Sequence, residues 1–335
     1  MAAEYLTLAE AGNLRQAQLF PELIPTVINM SPILSGGQNE LGGVSVAALP
    51  FKIVNDRVMT IVRQTAKPAV NWYDPGEKVT GETKTTTQTS FTIRGLKFRV
   101  VIPREIREGY ASLIDQAAME LKAQLESMTD EFMKAFYYGD NATNSKEPSG
   151  LHKLVSTATP DMHETMAANA TGAALTLTKL DILLLQDMKV RPDLIVCSRN
   201  LGLQFAAAAR STATGIAGNF SSQPLAEWGM PVLRYAGIPL FVDDYLTQTE
   251  LCDSAGDYSA ETTGATSTIF GIKFGPKYLH GISFSQAGPR VEYLTGPTQD
   301  YDGDIIWAYW DAAIVLESPF SVGNITNITD VAIAA

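Results

Sequence analysis

Hydrophobic and polar residues alternate along two stretches between residues 57 and 102. The first reads VMTIVR from Val58, and the second, SFTIRGLKFRVVI, runs from Ser90 to Ile102. Alternation with a period of two is typical of a β-strand with one covered face. Between the two stretches, Asp74-Pro75-Gly76 is a turn signal. The pattern therefore predicts a long two-stranded β-ribbon, which is at best marginally stable alone in water and needs support from outside itself.

A second pattern, with apolar residues at spacings of three and four, covers residues 113–138. This stripe predicts an amphipathic helix, and its members are Leu113, Ala117, Leu121, Leu125, Met128, Phe132 and Phe136. Gly139-Asp140-Asn141 would end it. At ~1.5 Å per residue the helix is about 39 Å long, which is more than a compact core of this size requires.

The rest of the chain predicts a compact α/β body. Helices are predicted over residues 177–188 and 200–210, and strands, in chain order, over residues 192–197, 230–235, 238–242, 268–274, 278–285, 290–294 and 305–317. Residues 1–50 have proline and glycine at a density that favours an extended arm. The overall class is α+β.

Charge is distributed unevenly over the 335 residues, whose net charge is −11. Residues 51–109 carry eleven lysines and arginines against six acidic residues, a net +5, whereas the preceding residues carry −3 and the following ones −13. A basic segment therefore has an acidic body on which to lie, although solvated strand faces would also explain the charges. The acidic total argues against a protein that grips nucleic acid.

The composition excludes several other classes. Two cysteines, Cys197 and Cys252, cannot form a disulfide framework, which fits a reducing compartment. No apolar run reaches the roughly 18 residues of a membrane span, and the first residues do not resemble a secretory signal. We therefore expect no membrane role.

Candidate chemistry is sparse, because no common nucleotide-binding, hydrolase or zinc motif is present. Asp300, Asp302 and Asp304 resemble the start of a calcium loop, but Gly303 stands at the fourth position instead of the sixth. A charged turn that enters a strand is the favoured explanation of these residues. We expect no catalytic residue, no cofactor and no metal, with the three aspartates as weak cation candidates.

The order of these parts resembles the major capsid proteins of tailed bacteriophages, which have the Hong-Kong-97-type fold. The stretches that carry the resemblance are FTIRGLKFRVVIPREI before the long helix, FYYGD and PSGLHKL after it, PDLIVCSRN, GIPLFVDDYL, and the late strands FGPKYLHGISF and DIIWAYWDAAIVL. The resemblance spans nearly the whole chain.

The resemblance implies a division into four parts. Residues 1–56 would form an N-terminal arm, and residues 57–102 an extended loop made of the β-ribbon. A peripheral domain would comprise residues 103–173 and 265–312, with residues 113–138 as its spine helix. A compact α/β axial domain would comprise residues 174–264 and 313–335.

The resemblance also implies a structural function without catalysis. Copies would form hexamers and pentamers of an icosahedral shell that encloses double-stranded DNA without reading its sequence. The protein would reside in the virion after assembly in the host cytoplasm. Expected partners are further copies of the chain, a separate scaffolding protein, a portal and a decoration protein. The scaffolding protein is expected because the chain has no long charged helical N-terminal region of the kind that some family members use as an internal scaffold.

Subunit-interface candidates lie on the ribbon, because aromatic residues and arginine dominate interface energetics. They are Trp72, Tyr73, Phe91, Arg94, Lys97 and Arg99. Two alternatives stay open at this point. One is an encapsulin-like nanocompartment, which shares the fold and encloses a cargo protein. The other is a soluble hydrolase, which would need Asp300, Asp302 and His280 to converge in one pocket.

Overall fold

A computed structural model describes residues 32–35, 49–79, 81–105, 116–158, 162–210, 220–223, 232–284, 288–294 and 302–333. The helices are α1 Pro32–Ser35, α2 Gln116–Tyr138, α3 Leu151–Ser156, α4 Leu177–Asp181, which continues as a π-helix over Ile182–Asp187, and α5 Arg199–Arg210. The strands are β1 Phe51–Ile53, β2 Val58–Ala66, β3 Thr85–Thr92, β4 Arg94–Pro103, β5 His163–Thr165, β6 Leu194–Cys197, β7 Phe220–Gln223, β8 Val232–Tyr235, β9 Ile238–Val242, β10 Leu251–Cys252, β11 Tyr258–Ala260, β12 Thr266–Ile272, β13 Leu279–Ser283, β14 Arg290–Leu294, β15 Gly303–Leu316 and β16 Val322–Thr329.

The longest strand, β15, organises a five-stranded sheet. Four of its strands lie side by side in the order β1-β13-β15-β14, and the fifth strand, β4, also pairs with β15. The antiparallel β4–β15 register runs from Pro103 opposite Gly303 to Arg94 opposite Ala312. This sheet connects the end of the ribbon directly to the centre of the body.

A second sheet has seven strands in the order β5-β16-β12-β6-β9-β8-β7. Its centre includes β6, in which Leu194, Ile195, Val196 and Cys197 are all buried. A continuous apolar run of this kind is expected for a strand covered on both faces. Strand β12 begins directly after the predicted domain boundary at residue 265. It pairs with β6 and β16 in this sheet. The division into domains stays a prediction.

Helix α2 packs its C-terminal half into the main core. Phe132 lies 4.3 Å from Trp310 between ring centroids, and Phe136 and Tyr137 are fully buried. Leu121 and Leu125, nearer the N-terminus, are only partly buried. The prediction of a long helix with one apolar face is confirmed over the described part, and its predicted start at residues 113–115 lies outside that part.

The predicted ribbon is correct for its first half and wrong for its second half. Strands β2 and β3 pair antiparallel from Val58 opposite Thr92 to Ala66 opposite Thr85. Strand β4, however, leaves the ribbon and pairs with β15. The physical reason is that Val100, Val101 and Ile102 are buried in succession, which requires cover on both faces. A free ribbon cannot supply that cover.

Helices and strands both contribute, so the α+β class is confirmed. Within the described ranges, no helix combines the length and apolar character that crossing a membrane requires. Most of the predicted N-terminal arm lies outside the described residues.

Candidate assembly surface

The ribbon of β2 and β3 is buried at its root, the end that joins the body. Phe91 and Ile93 are buried there, and Met59 and Ile61 pack partly against the same core. The backbone N–H of Ile93 donates to the carbonyl of Arg57 across the root, at 2.9 Å. The root is thus fixed to the body by apolar packing.

The far end of the ribbon, residues 67–84, is the tip, and it carries exposed apolar side chains. At the tip, Trp72 is fully exposed, Val70 is 90% exposed and Val79 is 67% exposed. Val62, on the outer face of β2, is also 67% exposed. Single exposed apolar residues are normal on protein surfaces. Four of them on one slender ribbon, each with most of its area in solvent, make the ribbon a candidate contact surface.

The tip has a defined conformation that its own hydrogen bonds maintain. The backbone N–H of Glu77 donates to the carbonyl of Asp74, and the N–H of Asp74 donates to Oε2 of Glu77, both at 3.0 Å. Gly76 has φ of 92°, which explains a glycine at this turn. The N–H of Ala69 donates to Oε2 of Glu82 at 3.1 Å and ties the two sides together. The aromatic side chains are therefore presented on an ordered turn.

Arg63 holds the ribbon against the body between root and tip. Its Nε donates to the carbonyl of Glu317 at 2.9 Å, and its Nη2 donates to the carbonyl of Leu316. Partial burial of the guanidinium lowers the pKa of Arg63 from its ordinary value. Sequence reasoning missed this role. The available signal was that Arg63 shares the inward phase of the alternation with Met59 and Ile61.

Two adjoining cavities open at the root of the ribbon. We call the first the basic basin: it has a volume of about 570 Å³ and is lined by Arg57, Arg94, Lys97 and Lys146, with Asp311 as its one carboxylate. We call the second the apolar cleft: it has a volume of about 210 Å³ and is lined by Leu96, Phe132, Ala135, Pro148 and Trp310 together with Glu131 and Glu147. Arg94, Gly95 and Lys146 line both cavities.

The fold has counterparts among solved structures. The capsid of a native GTA particle matches with a TM-score of 0.63 at 13% identity, over 92% of this chain and 93% of that one. The holo-SrpI encapsulin complex from Synechococcus elongatus matches with a TM-score of 0.59 at 13% identity, over 98% and 99%. Mycobacterium phage Bobi matches with a TM-score of 0.54 at 12% identity, over 96% and 98%. The chain has the Hong-Kong-97-type fold.

The similarity lies in structure and not in sequence. No protein-family model matches the chain, and no curated protein sequence does. Because identities near 13% leave few shared side chains, the Hong-Kong-97-type fold fixes the arrangement of the parts and leaves their chemistry to this chain's own residues.

The Hong-Kong-97-type fold places the interface candidates in different environments. Trp72 lies exposed at the tip and Tyr73 beside it is half-buried. Lys97 lines the basic basin, and Arg94 lines both cavities while its Nη2 donates to Oδ1 of Asn141 at 2.8 Å. Their contacts with another copy remain a prediction.

Two candidates have partners within their own chain. The guanidinium of Arg99 lies 5.4 Å from the ring centroid of Trp307. Phe91 is buried in the core of its own chain, and its contact with another copy stays a prediction. The alternation correctly predicted a strand there, but not which face was covered.

The aspartate cluster does not form a metal-binding group in the part of the chain that the structure describes. Asp302 lies 3.3 Å from the guanidinium of Arg104, and both side chains are more than half exposed. Asp304 lies in β15 opposite Ile102, and Asp300 falls outside the described residues. The charged-turn interpretation fits this arrangement.

The hydrolase alternative required His280 and Asp302 to meet. His280 pairs with Val315 near the end of β15, whereas Asp302 directly precedes Gly303 at its start. Twelve residues of extended strand at ~3.3 Å each separate the two positions by about 40 Å. His280 is buried against neighbouring strands, so these residues form no common pocket. His280 and Asp302 therefore do not form the site that this alternative required.

Proposed function

We propose that this protein is the major subunit of a closed icosahedral shell, in which copies assemble as hexamers and pentamers. One observation carries the proposal: an ordered ribbon extends from the body and presents Trp72 and Val70 to solvent. An isolated two-stranded ribbon is marginally stable, and an exposed aromatic tip is costly unless another surface covers it.

The fold supports a partner that is another copy of the same chain. Of the three matched structures named above, one is described as a capsid, one as an encapsulin complex and one as a mycobacterium phage, and each match covers at least 92% of this chain. A ribbon that leaves one copy and lies on the next is a heterologous contact, and such contacts close into rings when the rotation permits. The net +5 of residues 51–109 and the acidic remainder favour this arrangement.

We propose double-stranded DNA as the content of the shell. The matched GTA and mycobacterial phage structures favour a phage-type capsid. A net charge of −11 repels the DNA backbone and would leave densely packed DNA free to move. The protein would then act in the virion as a structural component without catalysis, after assembly in the host cytoplasm. A scaffolding protein, a portal and a decoration protein complete the proposed partners.

An encapsulin-like nanocompartment is the second candidate. The match to the encapsulin of Synechococcus elongatus covers 98% of this chain and 99% of that chain. In that case the shell would enclose a cargo protein in place of DNA.

The test is to express the protein and follow its assembly by light scattering and electron microscopy. Rings of five or six copies or megadalton shells are expected, whether alone or with a co-expressed scaffolding protein. Nuclease-protected double-stranded DNA in native particles supports the capsid, whereas a co-purifying enzyme supports the nanocompartment. A monomer at every concentration and salt level, with or without the scaffolding protein, would contradict both.

A further inference from the structure

A third cavity lies where α2 and α3 meet the hairpin of β10 and β11. Its volume is about 240 Å³, below the roughly 300–1,000 Å³ of pockets for drug-sized molecules. A ligand of this cavity would therefore be small. We call it the aromatic pocket, and the side chains that decide its chemistry are Tyr138, Asp140, His152, Lys153, Asp257 and Tyr258.

His152 on α3 is buried in the wall of the aromatic pocket without a hydrogen-bond partner. The residue is 5% exposed, and neither ring nitrogen hydrogen-bonds to any residue that the structure describes. Its Nε2 lies 3.5 Å from Oε1 of Glu250, an oxygen that already accepts a hydrogen bond from the hydroxyl of Tyr138 at 2.7 Å. Buried polar side chains normally have partners, so a group that enters the pocket can supply the one that this imidazole lacks.

Aromatic rings form one side of the pocket. The ring of His152 lies 3.9 Å from that of Tyr258 and 5.3 Å from that of Tyr138 between centroids, with interplanar angles of 21° and 16°. A tyrosine ring attracts an organic cation that lies within about 6 Å of its face. The rings therefore offer a cation an attraction that adds to that of the hydrogen-bond acceptors.

The charge around Tyr258 is negative. Burial raises the pKa of its hydroxyl above the ordinary value, and three neighbouring carboxylates raise it further. These carboxylates belong to Glu250, Glu261 and Asp140. The same field that disfavours a tyrosinate favours a cation at this position.

Cations in the pocket offset only part of this charge. Nζ of Lys153 lies 3.4 Å from Oδ2 of Asp140, and Nε2 of His163 lies 2.8 Å from Oδ1 of Asp257. Together with the two glutamates near Tyr258, these residues comprise four carboxylates against two cations. Even with both cations charged, the group has a net charge of −2.

The pocket suits an organic cation better than a metal ion. Within the described ranges, no three histidine, cysteine, aspartate or glutamate side chains are grouped as a metal ion requires. Mg²⁺ and Ca²⁺ take oxygen ligands, which aromatic rings do not supply. An ammonium group, by contrast, can use both the acceptors and the rings.

We infer that the aromatic pocket binds a small aliphatic diamine, with an ammonium group against the ring of Tyr258 that donates to His152 and Asp257. Two positive charges match the net charge of the pocket. The inference is independent of the proposed function. A ligand that contacts α2, α3 and the β10–β11 hairpin at once stabilises the folded chain by mass action.

Equilibrium dialysis with radiolabelled putrescine, a four-carbon diamine, tests the inference. At about 150 mM salt, which screens binding to exposed charges, we expect one saturable site per chain. Putrescine at about ten times its dissociation constant should also raise the thermal midpoint by about 2 °C. 1,4-Butanediol has the same length without the charges, and it should neither displace putrescine nor shift the midpoint.

Two variants locate the site. Asp257→Asn removes a carboxylate whose side chain is 55% exposed, and Tyr258→Leu removes the aromatic face. Each should weaken putrescine binding by about three- to fivefold. Asp56→Asn, which alters an exposed carboxylate outside the pocket, should leave binding unchanged. Circular dichroism identifies a variant that does not fold, and the other variant then decides.

The inference would be overturned by wild-type protein that binds putrescine no better than 1,4-butanediol, or by wild-type affinity in both variants. Displacement of putrescine by an equal concentration of Mg²⁺ would also overturn it, because charge alone would then explain the binding. Each of these results leaves the proposed shell standing. Conversely, a chain that binds putrescine but forms no ring or shell would overturn only the proposed function.

Discussion

Arg63 is the charged residue on the covered face of the ribbon, and two backbone carbonyls of the body accept its hydrogen bonds. Those carbonyls belong to Leu316, the last residue of β15, and to Glu317, which follows it. A planar guanidinium can satisfy two acceptors at once, which an ammonium group cannot do in the same geometry. The side chain therefore fixes the angle at which the ribbon leaves the body.

Replacing this residue should loosen the ribbon. We expect Arg63→Ala to lower the free energy of unfolding by about 2 kcal/mol, because hydrogen bonds from a charged donor are lost and partly buried carbonyls lose their partner. Amide hydrogen exchange in residues 58–66 should become faster. Arg63→Lys should be intermediate, and Lys67→Ala on the exposed tip should have no effect. Wild-type exchange and stability in Arg63→Ala would contradict this role.

Two adjacent tyrosines on α2 make the protein sensitive to alkali. The hydroxyl of Tyr137 donates to Oδ2 of Asp243 at 2.8 Å, and that of Tyr138 donates to Oε1 of Glu250 at 2.7 Å. Burial, and then the neighbouring carboxylate, raise the pKa of each tyrosine well above its usual value. Both remain neutral in the folded protein at a pH where an unfolded chain ionises.

The sign of the pH dependence follows. Above about pH 10 the unfolded state loses protons that the folded state keeps. Below that pH the contribution of the two tyrosines to the free energy of unfolding is complete. As the pH rises towards the pKa of each tyrosine in the folded state, the free energy of unfolding falls by up to about 1.4 kcal/mol per pH unit for each tyrosine. Urea unfolding at pH 9, 10 and 11 measures this slope. Tyr138→Phe should reduce it by about one proton, and an unchanged slope would contradict the assignment.

At the scale of elements, the two halves of helix α2 differ in burial. Phe136 is fully buried in the main core, whereas Leu121 is partly buried against Val100, Ile102 and Ile306. The C-terminal half therefore contributes most of the helix's packing energy. The N-terminal half has more of its surface in solvent.

Large-to-small substitutions should reveal this difference. We expect Phe136→Ala to cost about 3–5 kcal/mol of unfolding free energy, as in a closed core. Leu121→Ala should cost about 1 kcal/mol, because the site is partly hydrated already. Denaturant titration of both variants at neutral pH measures the two losses of unfolding free energy and hence their ratio. Equal costs would show that the whole helix is equally buried.

The sequence predicted which residues form strands better than it predicted which strands pair with each other. The alternation over residues 90–102 continues across Ile93, so nothing local shows that β4 changes from β3 to β15 as its neighbour. Three successive apolar residues at Val100, Val101 and Ile102 were the available signal. They indicate cover on both faces, which only the tertiary structure supplies.

Strand β16 was missed for the opposite reason, since its sequence VGNITNIT is polar. Asn324 and Asn327 are buried in it. The side chain of Asn324 hydrogen-bonds to His163, and Nδ2 of Asn327 donates to the carbonyls of Ala167 and Asn169. All three partners lie more than 150 residues away in the sequence. In the sequence alone these asparagines resemble loop residues, because the partners that allow their amides to be buried lie far away along the chain. Similarly, the sequence made Trp72 a candidate contact, but the basin lined by Arg57, Arg94, Lys97 and Lys146 forms only after folding.

At the scale of the whole molecule, the tip is separable from the body. Ala66 and Thr85 lie directly opposite each other, so residues 67–84 can be replaced by Asn-Gly, which forms a two-residue hairpin. This variant should keep its thermal midpoint within about 3 °C, because no buried residue is removed. It should form neither rings nor shells.

The matched control keeps the length of the tip and changes residues 70–73 to serine. It should also fail to assemble if the side chains, and not the reach of the ribbon, make the contact. Light scattering and circular dichroism together separate lost assembly from lost folding. Rings formed by the shortened variant would show that another surface joins the copies.

The joint between β4 and β15 also has a mechanical consequence. A pull on the ribbon enters the body at Arg94 and acts along ten paired residues of β4. A force along the strand loads all of these hydrogen bonds at the same time, in shear geometry, instead of breaking them one after another. In the proposed shell, pressure from within should therefore separate the tip from a neighbouring copy before the body of a subunit unfolds.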